Sequence, residues 1–238
     1  MSTAPAGLEA AAGRIRRARV IPILRLPDGD GVVEIARVLV DNGFPVIEIT
    51  TDHPHAVRSI AAVREALDGA VTVGAGTVLD DETLQSVAAV GAEFFLSPHL
   101  DAALVASGSE LGLLPVPGVL SPTEIVAAQR LGLGLLKLFP CGGNDPGYLQ
   151  ALRGPFPSVG FIPTGGIGLE GARAWLDSGA AAVGLGSALV GRGGYDQDLA
   201  LRAARLRRLI DDGSGRQAGA TPRGSERAPE GRGWRYPE

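Results

Sequence analysis

Eight short apolar runs at nearly even spacing constrain this chain more than any other feature. They begin near Val20, Pro45, Val71, Phe94, Leu113, Leu135, Gly160 and Ala182, and each is followed by a stretch with helical spacing. Successive starts lie 19 to 26 residues apart, room for a strand, a helix and two short loops. Strands separated by helices run parallel, and eight units of similar length favour closure over an open doubly wound sheet. The expected fold is α/β, a (β/α)8 TIM barrel with an N-terminal helix. Ser121-Pro122-Thr123-Glu124 reads as a helix start, with Ser as cap, Pro in the first turn and Glu closing a capping box. Leu169, Ala172, Trp175 and Leu176 share one helical face, which assigns Trp175 to the core.

After Asp212 the periodicity stops and Gly, Pro, Arg and Glu dominate, the composition of a disordered tail in which Trp234 and Tyr236 stand isolated. The expected organisation is one domain over residues 1–212 and a tail over 213–238. A formal charge of -4, with no basic stretch interleaved with aromatics, gives no reason to expect a nucleic-acid partner. No window approaches the roughly 20 apolar residues of a membrane span, and the opening segment lacks the apolar centre of a secretory signal. The single cysteine, Cys141, leaves no intramolecular disulfide framework and fits a reducing compartment, so the cytoplasm is expected.

The chain holds 21 arginines and one lysine. Wherever a surface charge was wanted arginine supplied it, so Lys137 calls for another explanation. It lies in the run Leu135-Leu136-Lys137-Leu138-Phe139, where alternation points residues 135, 137 and 139 to one side. That side is the interior of a barrel. A primary amine can add to a ketone and lose water to give an iminium, which a guanidinium cannot do. Apolar surroundings favour the free amine over the ammonium. A lysine buried with a carboxylate for stability alone is the competing reading, but such pairs are commonly neutral or costly. Glu48, in Val46-Ile47-Glu48-Ile49-Thr50, is embedded in the same way and can converge with Lys137. Cleaving a carbon-carbon bond beside an iminium needs one proton removed and one returned, which a single carboxylate can do. Neutralising Lys137 is its alternative role.

Two glycine-rich turns follow the last two runs, Pro163-Thr164-Gly165-Gly166-Ile167 and Val183-Gly184-Leu185-Gly186-Ser187-Ala188. In barrels this position commonly binds phosphate. Glycines let backbone amides approach the oxygens, Ser187 adds a hydroxyl, and the following helix is expected to add its positive end.

With these residues in place the chain resembles the 2-keto-3-deoxy-6-phosphogluconate (KDPG) aldolases, including bifunctional members that cleave 4-hydroxy-2-oxoglutarate. The resemblance rests on Val46-Ile47-Glu48-Ile49-Thr50, Gly74-Ala75-Gly76-Thr77-Val78, Ser97-Pro98-His99-Leu100, Pro117-Gly118-Val119, Leu136-Lys137-Leu138-Phe139-Pro140, Pro163-Thr164-Gly165-Gly166 and Gly186-Ser187. It implies a class I lyase, a homotrimer without cofactor or metal, yielding pyruvate and glyceraldehyde 3-phosphate in the Entner-Doudoroff pathway. Lys137 is then the Schiff-base lysine and Glu48 the general acid/base. Thr77 binds the pyruvyl carboxylate, Thr164, Gly165, Gly166, Gly186 and Ser187 hold phosphate, and Pro98 and Phe139 line the pocket. Many members carry arginine where this chain has Asp52, a carboxylate that would repel the substrate's own. Arg25, facing inward with Ile21 and Ile23, is assigned to the carboxylate clamp, as in some members. After Pro140, where members often have a small residue and Glu, this chain has Cys141-Gly142-Gly143-Asn144.

The alternatives within the same chemistry are 4-hydroxy-2-oxoglutarate or another 2-keto-3-deoxy acid as substrate. His53-Pro54-His55 beside Asp52 opens a metal-dependent hydrolase reading, against which a polar loop is preferred. A phosphate-binding isomerase leaves the lone lysine unexplained. A barrel that only binds a 2-keto acid is suggested by Asp52 and the missing glutamate, and opposed by the presence of both Lys137 and Glu48.

Overall fold

Apolar alternation is resolved into strands whose two faces pack on different partners. The computed structural model describes residues 6–26, 29–191 and 195–212; the expected tail over 213–238, with Trp234 and Tyr236, lies outside them. The chain opens with α1 (Ala6–Ala18) and continues β1 (Val20–Leu24), α2 (Val32–Asp41), β2 (Val46–Thr50), α3 (Ala56–Ala66), β3 (Thr72–Gly76), α4 (Asp81–Ala89) and β4 (Phe94–Leu96). Then come α5 (Ala102–Glu110), β5 (Leu114–Val116), β6 (Gly118–Val119), α6 (Pro122–Arg130), β7 (Leu135–Leu138), α7 (Pro146–Arg153), β8 (Gly160–Pro163), α8 (Leu169–Asp177), β9 (Val183–Leu185), α9 (Ser187–Val190) and α10 (Leu199–Asp211). The expected N-terminal helix is α1, and each expected strand start falls within one residue of an observed one.

Every strand pair is parallel. Hydrogen bonds organise them as two arcs, β5-β4-β3-β2-β1-β9 and β6-β7-β8. The fifth apolar run is broken into β5 and β6 at Pro117, which has no N–H to give to a ladder. A single parallel bridge, Thr164 to Gly184, joins the end of β8 to β9.

Period-two alternation sorts the residues as the sequence predicts. Ile21, Val46, Phe94, Leu135 and Ile162 meet in one apolar cluster on the inner faces. Their neighbours Ile47, Ile49, Leu136, Leu138 and Phe161 turn outward into a larger cluster shared with the helices. Trp175 is buried in that outer layer, as its helical spacing predicts. The capping box forms: the Ser121 hydroxyl accepts from the Glu124 N–H, and Oε2 of Glu124 accepts from the Ser121 N–H at 2.7 Å. Glu48 and Lys137 follow Val46 and Leu135 by two residues on the inward faces, so each emerges above the inner apolar cluster, toward the carboxyl ends of the strands.

Candidate active site

A cavity of about 550 Å³ opens at those carboxyl ends, where α/β units of this kind carry their functional groups. Glu48 and Lys137 form part of its lining, from β2 and β7. Arg25 follows β1, Thr77 follows β3 and Pro98 follows β4; Phe139 follows β7. The turn Thr164-Gly165-Gly166 follows β8, and Gly186 and Ser187 follow β9. Every residue that the sequence assigned to the aldolase site therefore lines one cavity. Ile23, Ile167 and Gly184 line it too, without having been assigned to the site. Gly184 was findable, since it alternates with Gly186 on β9; a Cβ there would lie 2.5 Å from the Thr164 hydroxyl oxygen.

The amine and the acid are both buried, Lys137 at 5% exposure and Glu48 at 1%. The Lys137 side chain makes no hydrogen bond or ion pair among the described residues; its Nζ lies 4.9 Å from the centroid of the Phe139 ring. A structural ion pair between the two is therefore not what holds them. Oε2 of Glu48 likewise has no hydrogen-bond partner. Burial pushes the Glu48 carboxyl above the usual carboxylate range, while the positive charges of Lys137 and Arg25 pull it partly back. An acid tuned upward holds a proton more readily than an ordinary carboxyl, which suits a group that must both take one and return it.

Space for Glu48 comes from Gly76. A Cβ at residue 76 would stand 1.9 Å from Oε1 of Glu48 and 2.6 Å from its Cδ. The next residue, Thr77, has φ 59, in the left-handed region a β-branched side chain rarely adopts. Outliers of this kind persist only where the surroundings hold them. At the mouth, Arg25 forms an ion pair with Asp52. Asp52 thus faces a guanidinium, and the repulsion expected of it is offset within the chain.

On the opposite wall Gly165 and Gly166 have φ of 93 and 74, which fits glycine. A side chain at Gly166 would run into Gly142, with Cβ 2.6 Å from its Cα. The loop after β7 is thus laid directly on this turn. The helix after Gly186 spans only Ser187–Val190, too short to sum a useful dipole. Any anion there would depend on individual amides and the Ser187 hydroxyl, which corrects the expected contribution of a helix end.

The His53-Pro54-His55 motif does not assemble. Asp52 is turned to Arg25 and His55 to Arg58. Among the described residues no three His, Cys, Asp or Glu side chains are grouped to hold a metal.

Fold and site define a class, an aldolase-type lyase on parallel α/β units. The family model described as "Aldolase: KDPG and KHG aldolase" matches residues 12–200, and the chain belongs to that family. A 2-dehydro-3-deoxy-phosphogluconate aldolase of Treponema pallidum is 38% identical over 159 residues, 66% of this chain and 74% of the relative. A 2-dehydro-3-deoxy-6-phosphogalactonate aldolase of Escherichia coli is 31% identical over 186 residues, 78% of this chain and 91% of the relative. The KDPG aldolase of Legionella pneumophila, solved with pyruvate captured as a covalent carbinolamine, superposes with a TM-score of 0.72 at 27% identity. That match covers 84% of this chain and 96% of the Legionella chain.

Proposed function

We propose that the protein is a class I aldolase cleaving a 2-keto-3-deoxy-6-phospho sugar acid of the KDPG type to pyruvate and glyceraldehyde 3-phosphate. The observation that carries this is a buried amine, Lys137, sharing one cavity with a buried carboxylate, Glu48, neither side chain being hydrogen-bonded or ion-paired among the described residues. Arg25 and Thr77 hold the substrate carboxylate and present C2 to the amine. Nζ adds to the C2 carbonyl, and loss of water leaves a protonated imine. Glu48 takes the proton of the C4 hydroxyl, the C3–C4 bond breaks, and its electrons pass into an enamine as the aldehyde leaves. Protonation at C3 and hydrolysis then release pyruvate and the free lysine. The far phosphate rests on the amides of Gly165, Gly166 and Gly186 and on the hydroxyls of Thr164 and Ser187. Pro98 and the Phe139 ring wall the reacting carbons.

The same reading takes residues 1–212 as one domain and the two arcs as parts of one closed (β/α)8 barrel. Support comes from the inner cluster, which joins Phe94 of the larger arc to Leu135 and Ile162 of the smaller, and from the Thr164–Gly184 bridge. It also takes the enzyme as a cytoplasmic homotrimer. The trimer is what the family resemblance implies, and the single buried cysteine fits a reducing compartment. No helix among the described residues is long and apolar enough to cross a membrane.

Pyruvate release measured across phosphorylated and unphosphorylated 2-keto-3-deoxy acids and 4-hydroxy-2-oxoglutarate tests the substrate. The phosphorylated six-carbon acid should give the highest kcat/KM. A higher value for 4-hydroxy-2-oxoglutarate would reassign it.

A further inference from the structure

Two consecutive residues just after β2, Thr51 and Asp52, reach both halves of the carboxylate site. The Thr51 N–H donates to the Gly76 carbonyl at 2.8 Å, and its hydroxyl is shared between the carbonyls of Gly76 and Thr77, each at 3.0 Å. Those carbonyls belong to the peptides on either side of the Thr77 Cα. Fixing both planes fixes φ and ψ of a residue that sits at φ 59, where threonine does not stay unaided. Asp52 does the corresponding work on a side chain. Arg25 is 60% exposed, and a long exposed side chain samples many rotamers unless something holds it. Its ion pair with Asp52 supplies that hold. Exposed pairs add little to stability, so orientation is the contribution left to this one.

We propose that Thr51 and Asp52 are the positioning residues of the carboxylate clamp, Thr51 acting through the backbone of Thr77 and Asp52 through the guanidinium of Arg25. The proposal rests on the aldolase reading, in which Thr77 and Arg25 bind the carboxylate. It also separates two roles for Asp52. A competitor for Arg25 would weaken substrate binding, so its removal would tighten it. A positioning residue does the reverse.

The test compares Thr51→Val, Thr51→Ser and Asp52→Ala, with Asp52→Ala repeated in an Arg25→Ala background. Two quantities are read: the pyruvate concentration that half-saturates borohydride trapping, and KM against kcat for cleavage. Thr51→Val and Asp52→Ala should each raise half-saturation and KM by about tenfold, the effect of one lost hydrogen bond. Trapping at saturating pyruvate should stay complete and kcat should fall by no more than about twofold. Thr51→Ser, which keeps the hydroxyl, should match the wild type. Asp52→Ala should add nothing once Arg25 is gone. Circular dichroism confirms the fold of each variant, and the Asp52 arm, at an exposed pair, does not depend on a core position. Wild-type KM in Thr51→Val, a Thr51→Ser as impaired as Thr51→Val, or a lower KM in Asp52→Ala overturns the proposal. Failure of the aldolase reading would appear separately, as no pyruvate adduct on the wild-type protein.

Discussion

Replacing Gly76 by alanine adds one methyl group and places it in the space that Glu48 occupies. The added Cβ would stand 1.9 Å from Oε1 of Glu48, 2.6 Å from Cδ and 2.7 Å from Cγ. Ordinary contact begins near 3.4 Å, so the carboxylate must retreat by about 1.5 Å. Thr50 pairs with Gly76 and Glu48 with Gly74 in the β2–β3 register, which keeps the backbone from yielding. Overpacking of this kind costs about 1–3 kcal/mol of stability. The catalytic cost is larger, because a displacement of roughly 1 Å can cost about 100-fold in rate. Gly76→Ala should therefore fold with a lowered Tm and lose about 100-fold in kcat. Lys137 is on the other arc and keeps its place, so borohydride trapping with pyruvate should survive. Exchange of the pyruvate methyl protons for deuterium, followed by NMR, needs proton transfer at C3 and should fall with kcat. Wild-type exchange and turnover in a folded Gly76→Ala protein would refute the reasoning. Loss of trapping in parallel with turnover would refute it equally, by showing that the methyl acts on the amine.

Glu48→Gln should inactivate the enzyme and stabilise it above acidic pH. Because burial raises the Glu48 carboxyl above its ordinary value of 4.5, its contribution to stability is full below that value and is lost as pH rises through the folded-state value. Thermal melts between pH 4 and 8 should show the variant gaining on the wild type as pH rises, and parallel curves would contradict this. Ser187→Ala should raise KM for the phosphorylated substrate by about tenfold and leave an unphosphorylated analogue unchanged; equal effects on both would remove Ser187 from the phosphate site.

Much of the architecture was legible because period-two alternation is a local property. Val46 and Leu135 went inward and Ile47 and Leu136 outward without any knowledge of their partners. Lys137 was legible by contrast with 21 arginines, and Glu48 by being an acid inside an apolar run. What stayed hidden depends on partners brought together by folding. Asp52 read as a repulsive charge because the residue that neutralises it, Arg25, arrives from the end of the preceding strand. Gly76 was visible within a family motif, but its reason is the bulk of Glu48 on the neighbouring strand. Thr51 looked like any strand-end threonine until its hydroxyl was found between two carbonyls of β3's exit. The break in the fifth run was not read from the sequence, although Pro117, without an N–H, leaves a gap in the ladder there; the separation into two arcs needed the strand pairing itself.

Whether the lone lysine is the covalent centre is read most directly by peptide mass spectrometry after incubation with pyruvate and borohydride. One reduced pyruvyl adduct per chain is expected, on Lys137, and none in Lys137→Arg, which keeps the charge but not the nucleophile. An unmodified Lys137 in protein that still cleaves its substrate would contradict this.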